Sequence, residues 1–421
     1  MKQMKFRLLT LLFLCSLGKY TMGQEFTCDG LRSAPDIVSA IDSVKGLQYG
    51  ANRNTVGALR ELLLDLYLPV DNSQILRPTL ILAFGGGFTD GQREDMAELC
   101  RRFARKGFVA ATIDYRILDA IDFLAITDST KALEFVLRAA QDVKASIRYM
   151  RSLADGENIY RIDPDNIFVG GVSAGAIAAN HAVYLDSTDE VSDAIRTGIA
   201  NTGGWLGNSN DLTQYSSEVS GVISWSGALN NDAWIDPSDP PLITVHEEGD
   251  EVVPYTTSQL QVGVNVFVTF KGSFHLESKA QEVGLYSETI VFQDRNTHVS
   301  YFLEGDQEEE DSVINQSAAF IKTVACGVNS AVSRFSDLRG LSYTFFPNPS
   351  EGSLTLKFDT PGEELQLHIY SLEGKLQKSF SFRTTETMEL SLEGLSPGLY
   401  SLVPFSSNTS KLLLPQLLEI Q

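Results

Sequence analysis

Gly171-Val-Ser173-Ala-Gly175 is the stretch of this 421-residue chain whose residue types and spacing could do nucleophilic chemistry. A serine with glycine two positions away on each side suits a cramped turn between a strand and a helix, where a Cβ at either glycine would collide with the adjoining elements. The run Ile167-Phe-Val169 before it reads as a buried strand, and residues 174–180 read as the start of a helix of small residues. Ser173 is therefore expected to be presented, not buried. Its hydroxyl would sit at the helix N-terminus, where free backbone N–H groups favour a developing negative charge.

A lone G-x-S-x-G also arises in structural turns, so the chemistry depends on partners. A serine hydroxyl is a poor nucleophile until a base takes its proton, and the base needs a third group that holds its tautomer. Where such a turn sits in a parallel sheet, serine, acid and histidine follow one another in that order along the chain. Of the five histidines, His181 lies inside the helix after Ser173, His246 precedes the acid and His368 is in the tail, which leaves His275 and His298. His298 follows the last predicted strand directly, whereas His275 opens a helix and reads as a cap or surface residue. Asp250 lies in a glycine turn after the strand 242–245, with Glu247 and Glu248 as its nearest rivals. The expected set is Ser173 as nucleophile, His298 as base and Asp250 as orienting acid, each just past the C-terminal end of a strand, where open α/β sheets place their sites.

Acyl transfer through a serine builds an oxyanion that wants two or more backbone donors. One is the N–H of Ala174. The others are expected from Gly86 and Gly87, because Gly85-Gly-Gly-Phe88 follows the strand 79–84 and glycine lets backbone come close to a ligand. The histidines are scattered and the cysteines far apart, so no metal site is expected.

These residues need a scaffold that converges on one rim. From Arg53 to about Ala325 short apolar runs alternate with longer amphipathic ones, the grammar of strands and helices in a largely parallel sheet. Strands are expected at 62–68, 79–84, 108–113, 222–225, 242–245 and 289–292, and helices at about 95–106, 131–153 and 311–324. Residues 185–220 break the rhythm. They form either a loose surface insertion or, since Trp205 and Tyr215 are costly to leave in water, a cap or substrate-binding wall, and the wall is the expectation carried forward. The acidic run 306–311 reads as a solvated helix start rather than a cation site.

Residues 1–23 carry Lys2, Lys5 and Arg7, then an apolar run over 8–17 and a small-residue exit, the pattern of a signal peptide. The apolar run is shorter than the roughly 20 residues of a membrane span. Leu14 before Cys15 argues against a lipid-anchored cysteine. Export implies an oxidising compartment, so two of Cys28, Cys100 and Cys326 are expected to pair, with one thiol left over. A formal charge of −21 argues against nucleic acid or anionic lipid as partners. After Gly327 a polar linker leads to alternating antiparallel strands near 354–358, 365–370, 388–392 and 399–402. The expected division is a signal peptide at 1–23, a catalytic domain at 24–326, a linker at 327–343 and a small β-sandwich at 344–421.

The chain resembles the α/β-hydrolase family, and within it the carboxylesterases and lipases with a glycine-rich oxyanion loop. The resemblance covers about residues 55–324 and rests on Gly85-Gly-Gly-Phe88, Asp114-Tyr-Arg116, the Ser173 pentapeptide, His246-Glu-Glu-Gly-Asp250 with Val253-Pro-Tyr255, and His298. It implies a mostly parallel central sheet flanked by helices, and ester hydrolysis through a Ser173 acyl-enzyme without a cofactor. Two departures stand out: the family often has histidine where Phe84 stands, which braces the oxyanion loop, and glycine where Glu247 stands. The tail resembles the C-terminal sorting domain of the type IX secretion system of the Bacteroidota, on Phe346-Pro-Asn-Pro-Ser-Glu-Gly352, Ile369-Tyr-Ser-Leu-Glu-Gly-Lys375 and Leu395-Ser-Pro-Gly-Leu-Tyr400. That resemblance implies export across both membranes by the secretion machinery, with release or surface attachment. Two other readings stay open: a serine peptidase of the same fold, and a non-catalytic surface-binding protein on a hydrolase scaffold.

Overall fold

The computed structural model describes residues 36–326 with short gaps at 55–56, 72, 119–125, 127, 262–266 and 305, together with 334–337, 343–346, 350, 352–358, 364–371, 376–383, 385, 387–406 and 416–420. The expected signal segment, Cys15, Cys28 and parts of the tail motifs, 347–349 and 372–375, lie outside the described residues.

The elements follow in chain order as β1 (Ile41–Arg53), β2 (Leu59–Pro69), β3 (Arg77–Ala83), α1 (Ala97–Arg105), β4 (Val109–Ile113), α2 (Ser129–Ala154), β5 (Ile162–Val172), α3 (Ala174–Tyr184), α4 (Asp193–Thr202), β6 (Gly221–Trp225), β7 (Ala228–Leu229), β8 (Leu242–Glu247), β9 (Thr257–Gln261), β10 (Phe267–Gly272), α5 (Ser273–Val283), β11 (Ser287–Phe292), α6 (Ser300–Leu303), α7 (Gln307–Ala325) and β12 (Arg334–Asp337). The main sheet has nine strands in the order β1-β2-β4-β3-β5-β6-β8-β11-β12. Its β1-β2 and β2-β4 pairs are antiparallel, and every pair from β4-β3 through to β11-β12 is parallel. The strands β3, β4, β6 and β8 are buried along their whole length, as strands covered by helices on both faces must be. This is the expected α/β class.

Register brings the chemistry together. Ala83 at the end of β3 pairs with Gly171, Val172 pairs with Trp225, Trp225 with Val245, and Glu247 with Phe292. The C-terminal ends of β3, β5, β8 and β11 therefore lie along one edge, and the glycine loop, the serine turn, the acid turn and the histidine loop all leave from it.

The structure departs from the sequence expectations at several places, three of which concern the main sheet and what packs around it. The long strand β1 was not anticipated; it is a sheet edge in which polar residues and glycines interrupt the apolar ones, so it lacks the apolar run that marks a buried strand. A strand, β12, lies inside the expected linker and extends the main sheet in parallel beyond β11. The 185–220 segment is not a wall of the site. It contains α4 and packs on α2, whose Gln141 donates to the Thr202 hydroxyl and the Gly204 carbonyl, whose Lys144 donates to the carbonyls of Leu185 and Trp205, and whose Arg148 donates to that of Leu206. These polar side chains along α2 hold the segment on a different surface from the one that carries Ser173.

Asp306 caps α7, accepting the N–H groups of Glu308 and Glu309, so the acidic run does start a helix. Cys326 is disulfide-bonded, and Cys100 is a buried free thiol. The tail holds two antiparallel sheets, formed by β13 (Tyr343–Phe346), β14 (Ser353–Phe358) and β17 (Thr387–Ser391), and by β15 (Glu364–Ser371), β16 (Leu376–Arg383), β18 (Gly398–Ser406) and β19 (Gln416–Ile420). Leu354 and Leu356 from one sheet and Leu365, Leu367 and Leu402 from the other share a small core of their own.

Candidate active site

The serine turn is as tight as its glycines require. A Cβ on Gly171 would lie 2.5 Å from the Ala83 carbonyl oxygen, and one on Gly175 would lie 2.2 Å from the same atom. Ser173 itself has φ 54° and ψ −119°, a conformation that non-glycine residues adopt mainly where surrounding structure imposes it. Its neighbours impose it: Ser173 N–H donates to the Trp225 carbonyl at 2.8 Å, and the Ser173 carbonyl accepts the N–H of Ile177 at 2.9 Å. The residue is only 7 % exposed, against the expectation of an unburied serine, because it lies in the wall of a cavity.

That cavity measures about 770 Å³. Ser173 and His298 line it together with Gly85, Gly86 and Gly87, and its walls are mostly apolar, with Phe88, Phe135, Ile177 and Phe270 among them. Val252 and the strongly exposed Leu303 also contribute to the lining.

His298 Nε2 is 2.8 Å from Ser173 Oγ, and His298 Nδ1 is 2.6 Å from Asp250 Oδ2. With Nδ1–H donating to the carboxylate, Nε2 is left as the acceptor for the serine hydroxyl. The other Asp250 oxygen accepts the N–H groups of Val252 and Val253 at 2.8 and 2.9 Å. Burial alone would raise the Asp250 carboxyl, but hydrogen bonds from His246 and His298 outweigh it and hold the group well below the usual carboxylate range.

The rivals are occupied elsewhere. His275 Nε2 faces the Thr257 hydroxyl at 2.8 Å and Nδ1 faces Asp232. His181 is a core residue whose Nδ1 meets the Ile177 carbonyl, and burial pulls its imidazole down to about 4. Glu248 is exposed, and the Glu247 carboxylate turns to the backbone after His298.

The glycine loop lies against the serine turn, since a Cβ on Gly85 would come within 3.4 Å of Ser173 Cβ. Gly86 and Gly87 have φ of 118° and 61°, values open to glycine at little cost. Among the described residues neither of their N–H groups donates to another backbone group, whereas the Gly86 carbonyl is engaged by Thr89 and Asp90. The loop is braced without a histidine. The Phe84 ring stacks on Tyr115, and the Tyr115 hydroxyl bonds the Phe84 carbonyl.

Two neighbours of Asp250, weighed in the sequence only as rivals for places in the triad, have roles of their own around it. His246 is fully buried with Nε2 2.7 Å from the Val253 carbonyl and 3.4 Å from Asp250 Oδ2, while Nδ1 lies 2.8 Å from the Ser273 hydroxyl oxygen. It is a second imidazole on the same carboxylate, on the side away from the serine. Its position at the inward end of β8 was the only signal for it, because its partner Ser273 lies beyond two further strands. The second is Glu247, whose contacts are taken up below.

The BD-FAE family model matches residues 64–232, and the model described as a secretion system C-terminal sorting domain matches residues 344–413. No match is found among curated proteins. Among solved structures, Thermogutta terrifontis esterase 2 phosphorylated by paraoxon is 20% identical, with 69% of this chain and 95% of that one covered and a TM-score of 0.48. The apo form of the same esterase is 19% identical, with 70% and 96% covered and a TM-score of 0.48, and the form phosphoramylated by tabun is 19% identical, with 69% and 96% covered and a TM-score of 0.49. A sorting domain marks a chain for export to the cell surface or the medium, and among the described residues no helix is long and apolar enough to cross a membrane. Over residues 64–232 the chain is similar to the BD-FAE family, and its tail is similar to secretion system C-terminal sorting domains.

Proposed function

We propose that the protein is an exported serine hydrolase of carboxylic esters. Ser173 Oγ attacks the ester carbonyl while His298 Nε2 takes its proton, and Asp250 holds the imidazole in the required tautomer and stabilises its charged form. The oxyanion of the tetrahedral intermediate is received by the N–H groups of Ala174, Gly86 and Gly87. His298 then returns the proton to the departing alkoxide, which leaves as the alcohol, and a water activated by the same imidazole releases the acid from Ser173.

The observation that carries this reading is the unbroken hydrogen-bond chain from Asp250 through His298 to Ser173 at the lining of an apolar cavity. The phenyl and aliphatic walls favour an apolar acyl or alcohol group. The chemistry calls on no cofactor. The tail engages a secretion machinery of the type IX kind, residues 1–23 act as the signal for inner-membrane passage, and residues 24–326 form the catalytic unit.

The test is Ser173→Ala assayed on p-nitrophenyl acetate. Turnover is expected to fall by about 10⁴-fold or more with the thermal melt unchanged. Retained turnover would remove Ser173 from the mechanism, and dipeptide amides assayed in parallel separate an esterase from a peptidase.

A further inference from the structure

Glu247 is the last residue of β8 and is fully buried. A carboxylate taken out of water needs donors or a cation to offset its lost hydration. Among the described residues Glu247 has donors and no ion pair. Oε2 accepts the N–H of Val299 at 2.7 Å, and Oε1 accepts the N–H of Ser300 at 2.7 Å, the Thr297 hydroxyl at 3.2 Å and the Ser300 hydroxyl. Every one of these donors belongs to the residues that flank His298.

The backbone there needs holding. Val299 is β-branched yet left-handed, with φ 58° and ψ 28°, a conformation its own side chain opposes. Relaxing Val299 toward the ordinary basin would swing the peptide on the C-terminal side of His298 and carry the imidazole with it. The Glu247 carboxylate blocks that movement, because both of its oxygens are bonded to consecutive N–H groups, those of Val299 and Ser300.

The main chain of the same residue grips the acid. The Glu247 carbonyl accepts the N–H of Asp250 at 3.2 Å, and next to it Gly249 N–H donates to the Arg295 carbonyl at 2.8 Å. One residue therefore ties the turn that carries the carboxylate to the loop that carries the imidazole. The two contacts of His298, 2.6 Å to Asp250 and 2.8 Å to Ser173, require a single ring placement, and a small displacement weakens both at once.

We propose that Glu247 is a positioning residue that sets the placement of the His298 ring between Asp250 and Ser173. The proposal rests on the hydrolase reading above. A cap of stability alone would alter the melting temperature and leave turnover per folded molecule untouched; a positioning residue alters turnover.

The experiment uses the full chain and Glu247→Gln, which keeps the side-chain shape but turns one acceptor into an NH2 group facing an N–H. The expected result is a fall in kcat of about 10- to 100-fold. KM on p-nitrophenyl acetate should stay within about twofold. The rate at which a fluorophosphonate probe labels Ser173 should fall by the same factor as kcat, and the far-downfield proton resonance of the His298–Asp250 hydrogen bond should shift or broaden. Ser300→Ala, which removes only the hydroxyl contact, should show a smaller loss in the same direction. Hydrogen exchange on the unmodified protein gives a reading independent of any variant: the Val299 and Ser300 amides should be protected. A Glu247→Gln protein with wild-type kcat, or rapid exchange of those two amides, would overturn the proposal. Full turnover by Ser173→Ala would instead sink the hydrolase reading itself, so the two failures are distinct.

Discussion

The Tyr115 hydroxyl donates to the Phe84 carbonyl at 2.8 Å, and the two rings stack with centroids 4.4 Å apart. The bond fixes the last peptide before Gly85, so the glycine loop starts from a rigid point. Tyr115→Phe keeps the stacking and deletes the bond. Stability should fall by ~1 kcal/mol and kcat by about tenfold, checked by thermal denaturation and steady-state ester kinetics.

Gly86→Ala tests the loop itself. A Cβ there would sit 2.2 Å from the Asp90 carbonyl oxygen, and the backbone has φ 118°, which alanine resists. The loop must shift, and with it the donors proposed for the oxyanion. The expected loss in kcat is about 100-fold or more, with fluorophosphonate labelling reduced and the melting temperature lowered by the strained loop.

Asp250 links the site to acid stability. Its carboxyl is held well below the usual range when folded, while in the unfolded chain it titrates near ~4, so the unfolded state takes up a proton first as pH falls. The stabilisation is complete above that pH and is lost progressively below it. Asp250→Asn should flatten this acid limb in denaturation curves between pH 3 and 7, relative to wild type, as well as lower kcat by about 10³- to 10⁴-fold. An unchanged acid limb would place the acid sensitivity elsewhere.

Lys144 offers the same sign in a higher pH window and in a place remote from catalysis. Burial pulls its ammonium down to about 8, against about 10.4 in an unfolded chain, so between those values the unfolded state holds a proton that the folded state has lost. Its contribution makes the protein more stable as pH rises through that window. Lys144→Met should lose that rise, seen as a smaller gain in melting temperature from pH 8 to 10. Relative rates on an ester panel should not change, because the segment this lysine anchors does not line the cavity.

How far the sequence could be read depends on which interactions are local. The Ser173 turn was legible because steric demand within five residues dictates its glycines, and β3, β6 and β8 were legible because strands buried on both faces are continuous apolar runs. The edge strand β1 was hidden by its polar residues, and β12 by a linker composition that gives no sign of pairing. Trp205 announced that the 185–220 segment must cover something, but only the polar groups of α2 decide what it covers. Glu247 drew notice only as a rival acid, since the N–H groups it binds lie 52 and 53 positions further along the chain.

The parallel pairing of β12 with β11 makes the position of any maturation cut consequential. A protease that severs the chain between Asp337 and Tyr343 would leave the outer flank of β11 shielded. A cut upstream of Arg334 would bare a row of amides and carbonyls that another polypeptide could zip onto, favouring self-association of the product.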